Sequence, residues 1–190
     1  MAEHPHTHSH AAHESGKEPP KEPHAPAEHK ARAPSSIGCC VITCSDTRTP
    51  ETDKSGQIIQ ELLKEKGHRV EAYHVVKDEP KEIRKLVEQL VRLETVSALI
   101  INGGTGISSR DTTFEAVDAL VEKRLEGFGE IFRYLSYKEI GSPAILSRST
   151  AGLYRGKILF SIPGSSGAVR LAMEQLILPE LPHIVEEITR

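Results

Sequence analysis

Two spacings of apolar residues alternate along residues 37–190. Short, largely apolar runs stand at 37–44, 98–101 and 158–162, with a fourth strand pattern at 70–76. Runs of this kind suit strands buried on both faces of a parallel sheet. Between them, apolar residues recur at helical intervals. Ile58, Ile59, Leu62 and Leu63 form a stripe that stops at Gly67, and Ile83, Leu86, Val87, Leu90 and Val91 form another that opens at Pro80 and ends near residue 93. Thr112 followed by Glu115 has the spacing of a capping box and predicts a helix carrying Phe114, Val117, Ala119, Leu120 and Val121. Further helices are predicted over 131–140, on Ile131, Phe132, Leu135 and Ile140, and over 168–178. Pro179 and Pro182 then precede a last turn or two at 184–188. Residues 144–153 show no clean period, but Arg155–Gly156–Lys157 predicts the turn of a hairpin over 152–162. Strands separated by helices predict an open, mostly parallel sheet with helices on both faces and one antiparallel hairpin strand.

Composition separates a tail from this domain. Residues 1–36 hold seven of the ten histidines, six of the twelve prolines and almost nothing apolar larger than alanine. Such a segment cannot offset the cost of ordering its backbone and is expected to be disordered. Its histidines, His4, His6, His8, His10 and His13, offer neutral imidazoles for loose transition-metal ligation, or simply a solvated tail. The formal net charge of −3 supplies no basic field for a nucleic-acid backbone or an acidic membrane surface. No run is long enough for a transmembrane span, and the N-terminus lacks the apolar centre of a secretory signal, so a cytoplasmic protein is expected. The three cysteines, Cys39, Cys40 and Cys44, crowd into one strand. Their odd number argues against a disulfide framework, and neighbours on a strand face opposite ways, so buried core thiols are expected.

The candidate chemistry follows each strand. Ser45–Asp46–Thr47–Arg48 follows the first, Asp78 the second, Gly103–Gly104–Thr105–Gly106 with Asp111 the third, and Pro163–Gly164–Ser165–Ser166–Gly167 the last. In an open parallel sheet these segments share one rim, beyond the carboxyl ends of the strands. The two small-residue turns offer backbone N–H groups and the hydroxyls of Thr105, Ser165 and Ser166, a set suited to phosphate. Asp46, Asp78 and Asp111 oppose that preference: a carboxylate about 4 Å from a phosphate charge costs on the order of 4 kcal/mol at an effective dielectric near 20. A divalent cation reconciles the two, since Mg²⁺ takes one or two carboxylates together with substrate phosphate oxygens. Phosphoryl and nucleotidyl transfers need such a cation and positioning rather than a protein nucleophile. Asp53 reads as a helix cap. Arg110, Arg148 and Lys157 are candidate anion clamps or solvated charges. The chain has no GxxxxGK[ST] loop, no GxGxxG spacing, no GxSxG elbow, and no metal-ligand spacing among His68, His74 and His183.

Taken in order, the strand ending in Ser45–Asp46, the D-x-S-G segment from Asp53 through Ser55 and Gly56, Asp78, GGTG at 103–106, Asp111, Gly127–Phe128–Gly129–Glu130 and Pro163–Gly164–Ser165 resemble the molybdopterin-binding fold of the MoaB/Mog family of molybdenum-cofactor biosynthesis proteins. The match spans residues 37–190. It implies a three-layer α/β/α sandwich, a homotrimer or homohexamer, and transfer of AMP from Mg-ATP to the terminal phosphate of molybdopterin with release of pyrophosphate. It implies that Asp78 and Asp111 are the essential acids and hold Mg²⁺ through the substrate phosphates. It assigns nucleotide and pterin contacts to Ser45, Asp46, Ser55, Gly56 and Gly103–Gly104–Thr105–Gly106, and a phosphate-binding turn to Pro163, Gly164, Ser165 and Ser166. Other proteins of the pathway are the partners it implies. Many members read PG-x-P where this chain has Pro163–Gly164–Ser165–Ser166, and loss of the second proline predicts a less rigid loop. The length and this turn are most like the MoaB branch, in which a non-catalytic molybdopterin carrier or scaffold is the alternative. CinA-like domains, a third reading, usually carry a GGLGPT-type turn. Thr105 and the lack of proline after Gly106 weigh against that reading.

Overall fold

The computed structural model describes residues 34–190. The expectations for the histidine-rich stretch, its disorder and its metal ligation, lie outside the described residues. Strands β1 (Gly38–Cys44), β2 (Arg69–Val76), β3 (Ala98–Asn102), β4 (Lys123–Arg124), β5 (Thr150–Tyr154) and β6 (Lys157–Ile162) form one sheet in the order β2-β1-β3-β6-β5-β4. β1, β2, β3 and β6 run parallel, while β5 and β4 add an antiparallel edge. The helices are α1 (Lys54–Glu65), α2 (Pro80–Leu90), α3 (Thr113–Asp118), α4 (Glu126–Ile140), α5 (Ser166–Ala172) and α6 (Leu178–Thr189).

Each central strand is apolar on successive residues because each of its faces is covered. Cys39, Val41, Ala98, Ile100, Ile158 and Phe160 pack beneath α1, α4, α5 and α6 through Ile59, Leu63, Phe132, Val169 and Leu181. Cys40, Ile42, Leu99, Ile101 and Leu159 pack on the other side against Ile83, Val87 and Leu90 of α2 and Ala116 and Val117 of α3. The result is the three-layer sandwich expected. All three cysteines are free and buried; burial pushes the Cys39 and Cys44 thiols up to about 12 and that of Cys40 to about 11. Among the described residues no helix is long and apolar enough to cross a membrane.

Three departures from the sequence reading lie away from the rim. Helix α4 begins at Glu126 and buries Phe128, Gly129, Phe132 and Ser136, so Ile131 and Ile140 of the expected stripe stay half exposed. Gly129 permits this packing, since a Cβ there would stand 2.8 Å from the Ser149 carbonyl oxygen. The helix expected to stop before Pro179 instead passes through a π-helical stretch, Met173–Ile177, into α6. Pro179 lies in the first turn of α6, directly after the π-helical stretch. The third is β4, two exposed residues with no strand pattern of their own, recruited by pairing with β5.

Topology then fixes where a ligand can bind. The chain leaves β1 for β2 on one side and returns through α2 to β3 on the other, so the strand order reverses between β1 and β3. Cys44 pairs with Val76, Thr43 with Asn102, and Asn102 with Ile162, so the carboxyl ends of the parallel strands are level. The segments beginning at 45, 77, 103 and 163 therefore share one rim at the switch point, as expected.

Candidate active site

A buried polar layer closes the core below this rim. Asn102, the last residue of β3, donates through Nδ2 to the Ile42 carbonyl at 3.2 Å and to Thr43 Oγ1 at 2.8 Å. Ser55 Oγ lies 2.8 Å from both Asn102 Oδ1 and Asp53 Oδ1. Asp53 caps α1 by accepting the Gly56 N–H at 3.1 Å and also accepts Tyr73 Oη at 2.7 Å. Burial opposes its charge, but hydrogen bonds from Thr43, Tyr73, Gly56 and Ser55 outweigh it and hold the carboxyl below its usual range. Burial, then the hydrogen bond to Asp53 and that carboxylate's charge, push the Tyr73 phenol up. Arg48 is built into the same layer: Nη1 donates to Ser55 Oγ at 2.5 Å and Asp53 Oδ1 at 3.3 Å, and Nη2 to the Gly164 carbonyl at 3.1 Å.

Above this layer opens a cavity of about 490 Å³ whose wall includes Ser45, Asp46, Arg48, Asp78, Gly103, Gly104, Thr105, Gly106, Arg110, Asp111, Pro163 and Gly164. Close backbone approach requires the first two glycines. At φ +108, Gly103 presses on Cys44, and a Cβ would stand 2.1 Å from the Cys44 carbonyl oxygen. At φ +47, Gly104 lies against Asp78, and a Cβ would stand 1.8 Å from Oδ2.

Asp78 is buried, and its Oδ1 accepts from Thr112 N at 3.2 Å, Thr112 Oγ1 at 2.9 Å and Thr113 Oγ1 at 2.9 Å. The expected capping box is thus taken apart. Thr112 does precede α3, but its hydroxyl serves Asp78 and not the helix, and Glu115 pairs with Arg148. Helix α3 ends at Asp118, short of the stripe that extended to Val121. Asp111 Oδ2 accepts the Ser108 N–H at 3.0 Å. Asp46 Oδ1 accepts the Asp78 N–H at 3.3 Å, while its Oδ2 accepts from Arg110, whose guanidinium holds the Asp46 carboxyl below the usual range.

The remaining candidates fall in four places. Ser55 and Gly56 lie beneath the cavity, in the polar layer. Ser165 caps α5 by accepting the Ala168 N–H at 3.3 Å, and neither it nor Ser166 is on the cavity wall. Lys157 opens β6, at the opposite end of the sheet from the rim. Arg148 lies behind the GGTG turn: it donates to the carbonyls of Thr105, at 2.9 Å, and Gly106, pairs with Glu115, and stacks 4.8 Å from the Phe114 ring centroid. These contacts brace the turn.

Chemically, the cavity combines glycine backbone, three carboxylates and two arginines at a switch point, and burial favours the protonated form of its one thiol, Cys44. Comparison with known proteins gives the same direction. Residues 40–183 match the family described as "Probable molybdopterin binding domain". The chain belongs to this molybdenum-cofactor biosynthesis family. It is 56% identical over 164 residues to molybdenum cofactor biosynthesis protein B of Bacillus cereus, covering 86% of this chain and 97% of the relative. With the protein of that name from Bacillus subtilis the identity is 54%, over 86% and 96% of the two chains. Among solved structures, one of molybdenum cofactor biosynthesis protein B superposes with a TM-score of 0.81 at 55% identity, covering 84% of this chain and 99% of that one. The tungsten cofactor synthesizing protein MoaB from Pyrococcus furiosus gives 0.75 at 35% identity, over 83% and 100%.

Two supports of the rim escaped the sequence reading. Arg48 stood in view as the fourth residue of the polar cluster after β1, yet only the fold brings Gly164 to it. Asn102 ends an apolar strand as a lone polar residue, and that break in the run was the available signal.

Proposed function

We propose that the protein is a molybdopterin adenylyltransferase that transfers AMP from Mg-ATP to the terminal phosphate of molybdopterin. An oxygen of that phosphate bonds to the α-phosphorus of ATP, the bond from the α-phosphorus to the bridging oxygen breaks, and pyrophosphate leaves with the electron pair. The observation that carries this reading is the state of the two acids. Asp78 receives its hydrogen bonds on Oδ1 and none on Oδ2, and Asp111 receives one on Oδ2 and none on Oδ1. Each therefore keeps one carboxylate oxygen for a hard cation, and both line the cavity. Among the described residues no three acids, cysteines or histidines cluster as a closed metal cage, which fits an ion held by two carboxylates and the substrate's own phosphates. Mg²⁺ bound there would neutralise charge developing on the phosphates. Thr112 and Thr113 fix the Asp78 carboxylate, Gly103 and Gly104 let backbone approach the phosphates, and Arg148 holds the turn that carries them.

Assembly belongs to the same proposal. Ile131, Tyr134, Tyr137 and Ile140 of α4, with Ile145 and Leu146 of the 3₁₀ turn Ser142–Leu146, are 49–83% exposed on neighbouring elements. A second copy of the chain covers this face in the trimer or hexamer that the family resemblance implies.

The test is pyrophosphate release from Mg-ATP with and without molybdopterin. Release that depends on molybdopterin is expected, and Asp78→Asn or Asp111→Asn should lower it on the order of a hundredfold or more. Molybdopterin binding without release identifies the non-catalytic carrier instead, and full activity in both variants would sink the assigned roles.

A further inference from the structure

Arg110 precedes Asp111 in the segment after β3, and its guanidinium crosses the cavity mouth to the segments after β1 and β2. Nε and Nη2 donate to Asp46 Oδ2 at 3.2 and 2.6 Å, and Nη1 donates to Glu79 Oε1 at 3.0 Å. All three side chains are open to solvent, at 59% for Arg110, 39% for Asp46 and 45% for Glu79. The other two arginines of the site are committed differently. Arg48 is spent on Asp53, Ser55 and the Gly164 carbonyl, and Arg148 on the carbonyls of the GGTG turn and on Glu115. Arg110 alone holds its place only through exposed carboxylates. Such contacts contribute little, because water and salt compete for both partners. A guanidinium on phosphate oxygens makes one of the stronger charge-assisted pairs, in a fork geometry that lysine cannot copy. The balance therefore favours exchange whenever a multiply charged phosphate reaches the mouth.

We infer that Arg110 is a polyphosphate latch: it rests on Asp46 and Glu79 and swings from them onto the phosphate chain that becomes the leaving pyrophosphate. The inference rests on the adenylyl-transfer reading only for its choice of ligand, since phosphates on an ion held by Asp78 and Asp111 would lie beside Arg110, which lines the same cavity. Exchange also returns Asp46 Oδ2 to solvent while Oδ1 stays on the Asp78 N–H. The latch thus opens the mouth without disturbing the acid beneath it.

Calorimetric titration of the full chain with Mg-pyrophosphate tests this without turnover. Arg110→Ala should weaken binding on the order of tenfold to a hundredfold, with melting temperature unchanged, and Arg110→Lys should restore only part of it. The decisive variant is Glu79→Gln. Releasing Arg110 from one carboxylate should tighten Mg-pyrophosphate binding roughly two- to fivefold, and should do nothing in the Arg110→Ala background. Equal tightening in both backgrounds would mean that Glu79 acts only through general rim charge, and the latch would be overturned. It would also be overturned if the unsubstituted protein bound no Mg-pyrophosphate, or if Arg110→Ala spared Mg-pyrophosphate and Mg-ATP but weakened inorganic phosphate or molybdopterin. Binding through Arg110 without pyrophosphate release from ATP would keep the latch and refute the adenylyl-transfer reading.

Discussion

Replacing Gly104 with alanine separates two costs that the structure lets one count. Gly104 sits at φ +47, and an added Cβ would lie 1.8 Å from Asp78 Oδ2 and 2.4 Å from Thr113 Oγ1. The left-handed conformation alone costs a residue with a Cβ about 1–2 kcal/mol. Gly156 supplies the control: it has φ +74 with nothing within 4 Å of the added atom, so Gly156→Ala should cost that strain and no more. At position 104 the methyl stands at roughly half an ordinary contact distance, so the Asp78 carboxylate must retreat by more than an ångström. Its bonds to Thr112 and Thr113, at 2.9 to 3.2 Å, do not survive such a stretch. Losing even one hydrogen bond to a charged acceptor adds about 1.5–3 kcal/mol, which brings Gly104→Ala to about 2.5–5 kcal/mol. Urea unfolding of the two variants gives the comparison directly, and pyrophosphate release should fall with Gly104→Ala and not with Gly156→Ala. If the two variants unfold within about 0.5 kcal/mol of each other, near the usual reach of additivity, the turn yields without moving Asp78. The rigid pairing of Gly104 with Asp78 would then be wrong.

Two further outcomes follow from the same coordinates. Because the fold holds the Asp53 carboxyl below its usual range, the unfolded chain takes up its proton first as pH falls. The stability that Asp53 contributes is therefore complete above an unfolded value of about 4 and is lost as pH drops through the lower folded value. The urea midpoint gap between the unsubstituted protein and Asp53→Asn should be constant from pH 7 to about 5 and shrink below about 4, and a gap independent of pH would refute the assignment. For the apolar face, light scattering should report more than one chain per particle, and Ile145→Asp with Tyr137→Asp should move it toward the monomer. A monomeric unsubstituted protein would mean that a second copy does not cover the face.

The parts of the fold legible in the sequence are those whose environment is nearly uniform along the element. β1, β3 and β6 are buried on both faces, so apart from Lys157 and Asn102 at strand ends their residues are apolar or small, and the run declared the strand. The stripes of α1 and α2 declared helices for the same reason. Elements decided by a distant neighbour were not legible. β4 exists because β5 pairs with it, and α4 turns Phe128 and Gly129 inward because Phe160 and the Ser149 carbonyl stand there. The π-helical stretch ahead of Pro179 has no periodic signature at all. At the site, the rim was readable because one motif followed each parallel strand. The division of labour within it was not, since Thr112 looks like a cap until Asp78 is placed 34 residues away in sequence.

The turn at Pro163–Gly164 shows how the rim makes one unit out of segments that are far apart in the chain. The missing second proline predicted a looser turn there, with more conformations available to the backbone. The fold supplies the constraint from elsewhere. Arg48 Nη2 holds the Gly164 carbonyl at 3.1 Å, Ser165 caps α5, and Gly164 lies so close to Gly103 that an added Cβ would stand 3.0 Å from its Cα. Arg48 in turn is oriented by Asp53 and Ser55, and Ser55 Oγ reaches Asn102 at the end of β3. The polar layer therefore ties β3 and the segments after β1 and β6 to one another, with Arg48 reaching from it into the cavity wall. That arrangement explains why Ser55 and Gly56 belong to the same motif order as the rim while touching none of the cavity. It also assigns rigidity to the floor and exchangeable contacts to the mouth, where Arg110, Asp46 and Glu79 meet water. The proposed adenylyl transfer would use that asymmetry: a fixed floor would set the geometry of the reacting phosphates, and a labile mouth would let them in and out.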